Sequence, residues 1–389
     1  MVSPDPTPFP AGVHSPLLRR FERLLADQSP GALERLAHAS RRITRRHFGR
    51  TMRLFAPLYL SNECVNNCSY CGFSRDNPIL RTTLTVDEVV REARYLHDQG
   101  FRNLLLVAGE HPKFVNDGYL HDCLDALRPF IPTLAIELGP MEDHQYSEIV
   151  AHGAEGLIVY QETYDRETYD RLHTTGPKKN YDWRLACPER AYAGGFRRIG
   201  IGALFGLADW HSEALALASH LEHLLKHCWK AQFTVAFPRM RPYAGNYQYQ
   251  ADESLLLPDR DLLRLICAFR ICFPQVGIVL STREPAPLRD SLAKLGVTHM
   301  SAYVRTEPGG STGAGTQDLH LTVRGRRVAP ACPPKLQRRP EDNATSCQSA
   351  TEQFVIHDTR TAAEVAGMLR HQNLDPVWKD WDEAILAGH

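Results

Sequence analysis

Eight short apolar runs, each followed by a stretch with helical periodicity, leave this chain few folds to adopt. They are Leu54 to Leu60, Asn103 to Ala108, Thr133 to Leu138, Gly156 to Tyr160, Arg198 to Ala203, Gln232 to Phe237, Gly277 to Ser281 and His299 to Ala302. Continuous apolar runs of this length suit strands covered on both faces, which is the condition of a parallel sheet with helical crossovers. The helix after the first run is the best marked. Thr85 and Glu88 form a capping box, Val86, Val89, Val90, Ala93 and Leu96 share one face, and Gly100 ends it. Eight such units predict an α/β fold, a (β/α)8 TIM-type barrel over residues 51–308, whose chemistry gathers at the carboxyl ends of the strands.

Around the barrel the composition shifts. Residues 1–14 carry four prolines and little apolar content, and read as a flexible lead-in. From 15 to 50, Leu17, Leu18, Phe21, Leu24, Leu25, Leu33, Leu36 and Ile43 give N-terminal helices one apolar face, with Arg41, Arg42, Arg45 and Arg46 read as its solvated side. Residues 309–350 are rich in Gly, Pro, Arg, Ser and Thr and predict a disordered insertion. A C-terminal helical extension over 351–389 is expected to pack on the barrel. It begins with a strand-like QFVI and ends with Trp378 and Trp381 docking a terminal helix.

The carboxyl ends of the runs are unusually polar. Gly109 and Glu110 follow the second, and Glu137, Gly139 and Pro140 close the third. Gln161 and Glu162 follow the fourth, Arg239 and Arg241 the sixth, Thr282 and Arg283 the seventh, Tyr303 and Arg305 the eighth. After the first comes SNECVNNCSYCGFSRDN, which packs Cys64, Cys68 and Cys71 into eight residues with Tyr70 before the last. A structural zinc site closes four positions, commonly from paired CxxC units. Three thiolates instead can hold three corners of a cubane iron-sulfur cluster and leave one iron open. A zinc knuckle is the competing reading of the same residues.

Ten cysteines in 389 residues are too sparse for a secreted disulfide scaffold, and a reducing, cytoplasmic setting is expected. Lys+Arg and Asp+Glu both number 45, which suggests neither a nucleic-acid nor a membrane-surface partner. A small polar substrate fits better.

The CxxxCx(aromatic)C motif resembles the radical S-adenosylmethionine (SAM) superfamily. The segments RRHFGRTMRLFAPLYLSNECVNNCSYCGFSRDN, YQETYDRETYDRLHTTGPKKNYDWRL, RIGIGALFGLADW, FPRMRP, STREPAPLRD and PVWKDWD resemble its aromatic-amino-acid lyase branch, closest to the 2-iminoacetate synthases, tyrosine lyases of the thiamine pathway. The likeness runs from about Ile43 to Pro308 and resumes at Gln353, skipping the insertion. It implies a [4Fe-4S] cluster on Cys64, Cys68 and Cys71, with SAM on the open iron. Tyr70, Gly109, Glu110, Glu162, Arg184 and Gly202 would bind SAM, with Gly109 and Glu110 matching a turn that receives its amine. GIGALFGL, alone, is explained as well by a tight turn. Arg283 would clamp the substrate carboxylate, with Ser301 near the amine. The implied reaction cleaves the Cα–Cβ bond of L-tyrosine to 2-iminoacetate and p-cresol, with an external electron donor and thiazole synthase as partners. Tyr303 and Arg305 stand where the branch has smaller residues, so a lyase acting on tryptophan or another aromatic substrate is the alternative. A non-catalytic iron-sulfur or zinc protein is the third reading.

Overall fold

The computed structural model describes residues 15–243, 252–328 and 349–378. All eight expected strands are present, as β1 (Thr51–Ser61), β2 (Asn103–Ala108), β3 (Thr133–Glu137), β4 (Ala154–Glu162), β5 (Arg198–Ala203), β6 (Gln232–Ala236), β7 (Gly277–Leu280) and β8 (His299–Ser301). Each pairs in parallel with its neighbours, and the register Arg53–His299 to Phe55–Ser301 joins β1 to β8 and closes the barrel. Strand alternation divides the side chains of β1. Leu54, Ala56, Leu58 and Leu60 enter the core shared with the helices, whereas Phe55, Pro57 and Tyr59 point into the lumen.

Local signals act where they were expected. Thr85 and Glu88 make both halves of the capping box of the helix Val86–Asp98, and Gly100 follows it at φ 103°. The N-terminal helices are α1 (Pro16–Ala26), capped by Ser15, and α2 (Ala32–Phe48), which ends at Gly49. Phe21 of α1 meets Phe269 edge-on at 4.7 Å, and Ser40 of α2 donates to the Leu295 carbonyl at 2.5 Å. Arg41, Arg42 and Arg46 are exposed, the solvated face anticipated. Among the described residues no helix is long and apolar enough to cross a membrane.

Two expectations for the C-terminal third need correction. The segment from Gly309 is folded as far as Val328, because acidic side chains on the helix Val86–Asp98 satisfy its backbone. Glu92 accepts from the amides of Ser311 and Thr312 at 3.1 and 2.7 Å, and Glu88 from that of Gly315 at 2.8 Å. The chain then forms a hairpin, His320–Val323 against Arg326–Val328, whose first strand pairs with Ile79–Arg81. The rest of the expected insertion, 329–348, lies outside the described residues. QFVI is not a strand. It belongs to a strap across the barrel mouth, bonded in turn to Thr306, Pro242 and Thr282.

Past the helix Ala362–His371, β9 (Asp375–Val377) adds in parallel to the start of β1, and Trp378 packs on Phe101 at 5.4 Å. Trp381 and the expected terminal helix lie outside the described residues. What fastens the strap is electrostatic. Arg289 and Asp358, both fully buried, are paired, and Asp358 also accepts from Arg360 at 2.7 Å. Asp358→Ala would leave Arg289 buried without its counter-ion, which costs about 3–5 kcal/mol. We expect a corresponding drop in the urea midpoint, and an unchanged midpoint would show that the strap does not contribute to global stability.

Candidate active site

The loop leaving β1 is built around its own backbone. Arg81, 1% exposed, donates to the carbonyls of Asn62 (2.5 Å), Phe73 (3.0 Å) and Ser74 (2.7 Å). Ser74 Oγ accepts from the Cys68 amide at 2.8 Å, and Asn77 Nδ2 donates to the carbonyls of Cys71 and Gly72. Cys64, Cys68 and Cys71 are free thiols on this frame. Burial raises the Cys64 and Cys68 thiols above their ordinary value, and each neighbouring thiolate raises them further. A bound cation would favour the thiolate form of these ligands. Among the described residues no three His, Cys, Asp or Glu side chains close round a single metal ion. A cubane makes no such demand, since each of its cysteines binds a different iron. The donor set and the loop fit that group, with Cys71 facing the cavity.

Behind the loop, Gly109 has no room for a side chain, since a Cβ there would lie 2.2 Å from the Glu63 carbonyl oxygen. Its amide donates to Ser61, and the next residue, Glu110, accepts from the Val65 amide through its carbonyl and from Asn66 Nδ2 through its carboxylate at 2.6 Å. Tyr70 is fixed by His173. The imidazole Nδ1 faces the Tyr169 carbonyl at 2.7 Å and so carries the proton, which leaves Nε2 to accept from the Tyr70 hydroxyl at 2.6 Å. Burial takes His173 down to about 3, so the ring is neutral.

At the end of β4 the backbone of Glu162 is left-handed, at φ 72°. This turns its carboxylate onto Lys178 Nζ at 2.6 Å and Arg184 Nη2 at 3.5 Å. Burial alone would push that carboxyl up, but Lys178 and then Arg184 hold it below its ordinary value. Arg184 also donates to the Tyr160 carbonyl at 2.6 Å. Gly202 sits where a Cβ would meet the Ala236 carbonyl and the Tyr160 ring at 2.7 and 2.8 Å, so packing alone requires a glycine there. It does not line the cavity, although Leu204 does.

Arg283 differs from Arg239, Arg241, Arg289 and Arg360, which are given to carboxylates. Glu284 is occupied by Arg239 and by Arg241 at 2.7 Å, and Asp290 by Arg360 at 2.8 Å. Among the described residues no carboxylate pairs with Arg283. Its guanidinium lies 3.4 Å from the centroid of the Phe354 ring and lines the cavity, where burial lowers its affinity for the proton. Ser301 Oγ, also on the cavity wall, is buried with no hydrogen-bond partner. Tyr303 and Arg305 point elsewhere: the Tyr303 hydroxyl meets that of Tyr95 at 3.1 Å and Arg305 lies over the Tyr303 ring. A larger cavity at the opposite mouth is lined by Arg53, Arg198, Trp229 and His299. Cys71, Glu162 and Arg283 all line the upper one.

Two family descriptions match the chain: the radical SAM superfamily over residues 58–218, and the biotin and thiamin synthesis associated domain over 236–375. The chain is 39% identical over 363 residues to the 2-iminoacetate synthase of Escherichia coli (strain K12), covering 93% of this chain and 86% of that protein. It belongs to the 2-iminoacetate synthase family of radical SAM enzymes. Among solved structures, the FeFe-hydrogenase maturase HydG from Carboxydothermus hydrogenoformans superposes with a TM-score of 0.79 at 31% identity, over 93% of this chain and 76% of that one. Methylornithine synthase, at 21% identity and a TM-score of 0.68 over 95% of each chain, shares the fold.

As a radical SAM enzyme the protein uses a [4Fe-4S] cluster and SAM. Reading the residues singly missed Lys178, which neutralises Glu162, and the luminal side chains Tyr59, Tyr160 and Phe354. Lys178 stands in PKKNYDWRL, where nothing in the spacing separates it from Lys179. Glu137 was visible only as one polar rim residue among many. In the lumen, burial and then Glu162 raise its carboxyl to about 7, from an ordinary 4.5. The folded chain thus keeps a proton that the unfolded chain releases between about pH 4.5 and 7. Glu137 therefore destabilises the cofactor-free protein progressively as pH rises through that window. Glu137→Gln should gain stability relative to the parent between pH 5 and pH 8 in urea titrations, and a pH-independent difference would contradict the shift.

Proposed function

We propose that this protein cleaves the Cα–Cβ bond of L-tyrosine, giving 2-iminoacetate and p-cresol for the thiazole moiety of thiamine. The observation that carries the reading is that Arg283, with no carboxylate partner among the described residues, lines the same cavity as the Ser301 hydroxyl, which has no hydrogen-bond partner among them either. A buried cation without a counter-ion is costly, and a substrate carboxylate offsets that cost through a planar, two-point contact. The Phe354 ring fixes the plane of the guanidinium, and so the orientation of the amino acid. With the carboxylate on Arg283, the amine falls to Ser301, and the aromatic ring is left to the luminal side chains. Nothing about Tyr303 or Arg305 favours another substrate, since both face away from the cavity.

When bound, the reduced cluster and SAM supply a 5′-deoxyadenosyl radical. The protein's own part is to place and shield. Cys64, Cys68 and Cys71 hold the cluster. Tyr70, locked by His173, Gly109 and Glu110 shape the adjoining wall, and Glu162 with Arg184 takes the polar groups of SAM. Apolar side chains of the lumen keep water from the reacting atoms. An external one-electron donor, and thiazole synthase as receiver of a labile imine, complete the scheme in a reducing cytoplasm.

An anaerobic assay with tyrosine and tryptophan in parallel tests the assignment. With reductant and SAM, tyrosine should yield p-cresol, 5′-deoxyadenosine, methionine and glyoxylate, the last from hydrolysis of 2-iminoacetate. Cleavage of SAM with neither p-cresol nor an indole fragment would reject it. Replacing Arg283 removes a charge-assisted contact of about 1.5–3 kcal/mol, so Arg283→Lys and Arg283→Ala should lower tyrosine turnover about tenfold or more. Uncoupled SAM cleavage should survive, and an Arg283→Ala enzyme with unchanged tyrosine affinity would remove the residue from the site.

A further inference from the structure

The strand β3 ends on Glu137, whose carboxyl group lines the same cavity as Cys71, Glu162 and Arg283. Among the described residues, no hydrogen bond or ion pair reaches that carboxyl group. Acids in confined places are ordinarily bonded, and the others of this rim are: Glu162 holds Lys178, Glu284 holds Arg241 and Asp358 holds Arg360. Of the charged side chains that line the cavity, Glu137 and Arg283 are the two left without an ionic partner among the described residues.

The two nevertheless feel each other. Arg283 opposes the burial that lifts the Glu137 carboxyl, and Glu137 opposes the burial that lowers Arg283, yet they form no ion pair. A cation and an acid that share a field without touching leave a gap whose ends have opposite charge. An α-amino acid fits such a gap, because its carboxylate and its ammonium hang from one carbon. The phenol of tyrosine lies at the far end of the side chain, so an acid that shares the field of Arg283 is placed for the ammonium. Ser301, a neutral hydroxyl, accepts a hydrogen bond from that ammonium but does not balance its charge.

We infer that Glu137 receives the ammonium of the substrate and takes one of its protons, leaving the neutral amine from which the hydrogen atom is then removed. The inference deepens the proposed function and rests on its reading of Arg283 as the carboxylate clamp. One N–H bond breaks, one O–H bond forms on the Glu137 carboxyl, the electron pair stays on nitrogen, and nothing is oxidised or reduced. Loss of a hydrogen atom from an ammonium would leave a radical cation in a confined, poorly solvated site, whereas the amine gives a neutral radical. A carboxyl group held at about 7 is poised for this exchange near neutral pH. The groups that face it are Glu162 and Tyr160 on β4, Tyr59 on β1, Arg283 past β7, and Lys178 and Arg184 in the segment after β4. Glu162 is held by Lys178 at 2.6 Å, and burial keeps both tyrosines neutral, so none of these takes the proton in its place.

The test measures binding by calorimetry to the reconstituted protein with SAM and without reductant, so that nothing turns over. L-Tyrosine is compared with its desamino analogue, 3-(4-hydroxyphenyl)propionate, which keeps the carboxylate and the phenol. Glu137→Gln, shown to be folded by its urea transition, should lose at least tenfold in affinity for tyrosine and none for the analogue. Glu137→Asp, which keeps the charge, should retain more of the tyrosine affinity. In the turnover assay, wild-type kcat/KM should climb through about pH 7, the value of the Glu137 carboxyl. The glutamine variant should climb only at the higher pH where the free amine loses its own proton. Equal losses for tyrosine and its analogue would make Glu137 a structural residue of the pocket and overturn the inference. An unchanged tyrosine affinity or an unchanged pH profile would do the same. If the wild-type protein binds tryptophan and indole-3-propionate in place of the tyrosine pair, the choice of tyrosine fails and Glu137 is judged on that second pair. Binding of neither amino acid overturns both readings.

Discussion

The guanidinium of Arg81, buried beneath the loop from Ser61 to Asn77, donates to three of that loop's own carbonyls. Apart from the short antiparallel pairing of Asn67–Cys68 with His173–Thr175, this loop has little sheet to satisfy its backbone, and an unpaired buried carbonyl is costly. Arg81 meets that demand with a rigid fork of donors, and its fourth bond reaches Thr322 across the small sheet. Gly109 lets the second strand's exit turn pass directly under the loop. The Arg81 charge also opposes the burial that raises the Cys64 thiol. The same side chain thus shapes the loop and favours its anionic form.

A second constraint is the distribution of arginines around the mouth. Arg239, Arg241, Arg283, Arg289 and Arg360 crowd the ends of β6 to β8, and all but one are given to carboxylates. Glu284, adjacent to Arg283 in the chain, might be taken for its partner, but the backbone turns it outward to Arg239 and Arg241. The network holds the strap in place, and the strap delivers Phe354 to the face of Arg283 and Gln353 to the Tyr59 hydroxyl at 2.8 Å. The free cation is a product of the paired ones.

Features that depend on local sequence were legible: eight strands from their apolar runs, a capping box from Thr85 and Glu88, and three thiols from their spacing. The segment past Gly309 was not, since its order comes from Glu88 and Glu92, more than 200 residues away in the chain. Composition can say that 309–328 buries little apolar surface, yet hydrogen bonds from a distant helix order it regardless. QFVI has the alternation of a strand and no sheet edge to join, so the barrel mouth uses it as a strap. Lys178 was hidden for the same reason, because its role exists only once Glu162 has turned to φ 72°. The family likeness supplied the roles of Arg283 and Arg184, and geometry then separated the unpaired cation from the paired one.

The cysteine loop has two faces with different duties. Its inner face carries Cys71 into the lumen, against Tyr59, Gln353 and the walls that would hold an amino acid. The outer face is covered by a hairpin bound to Glu63 and Arg75. The hairpin therefore braces the loop without joining the lining of the substrate cavity. Shielding matters to radical chemistry more than to most, because a reactive carbon centre open to solvent would be quenched. The hairpin lies within the matched residues 236–375, and its anchorage to Glu63 and Arg75 supports the cysteine loop from outside while the inner face of that loop stays with the substrate cavity.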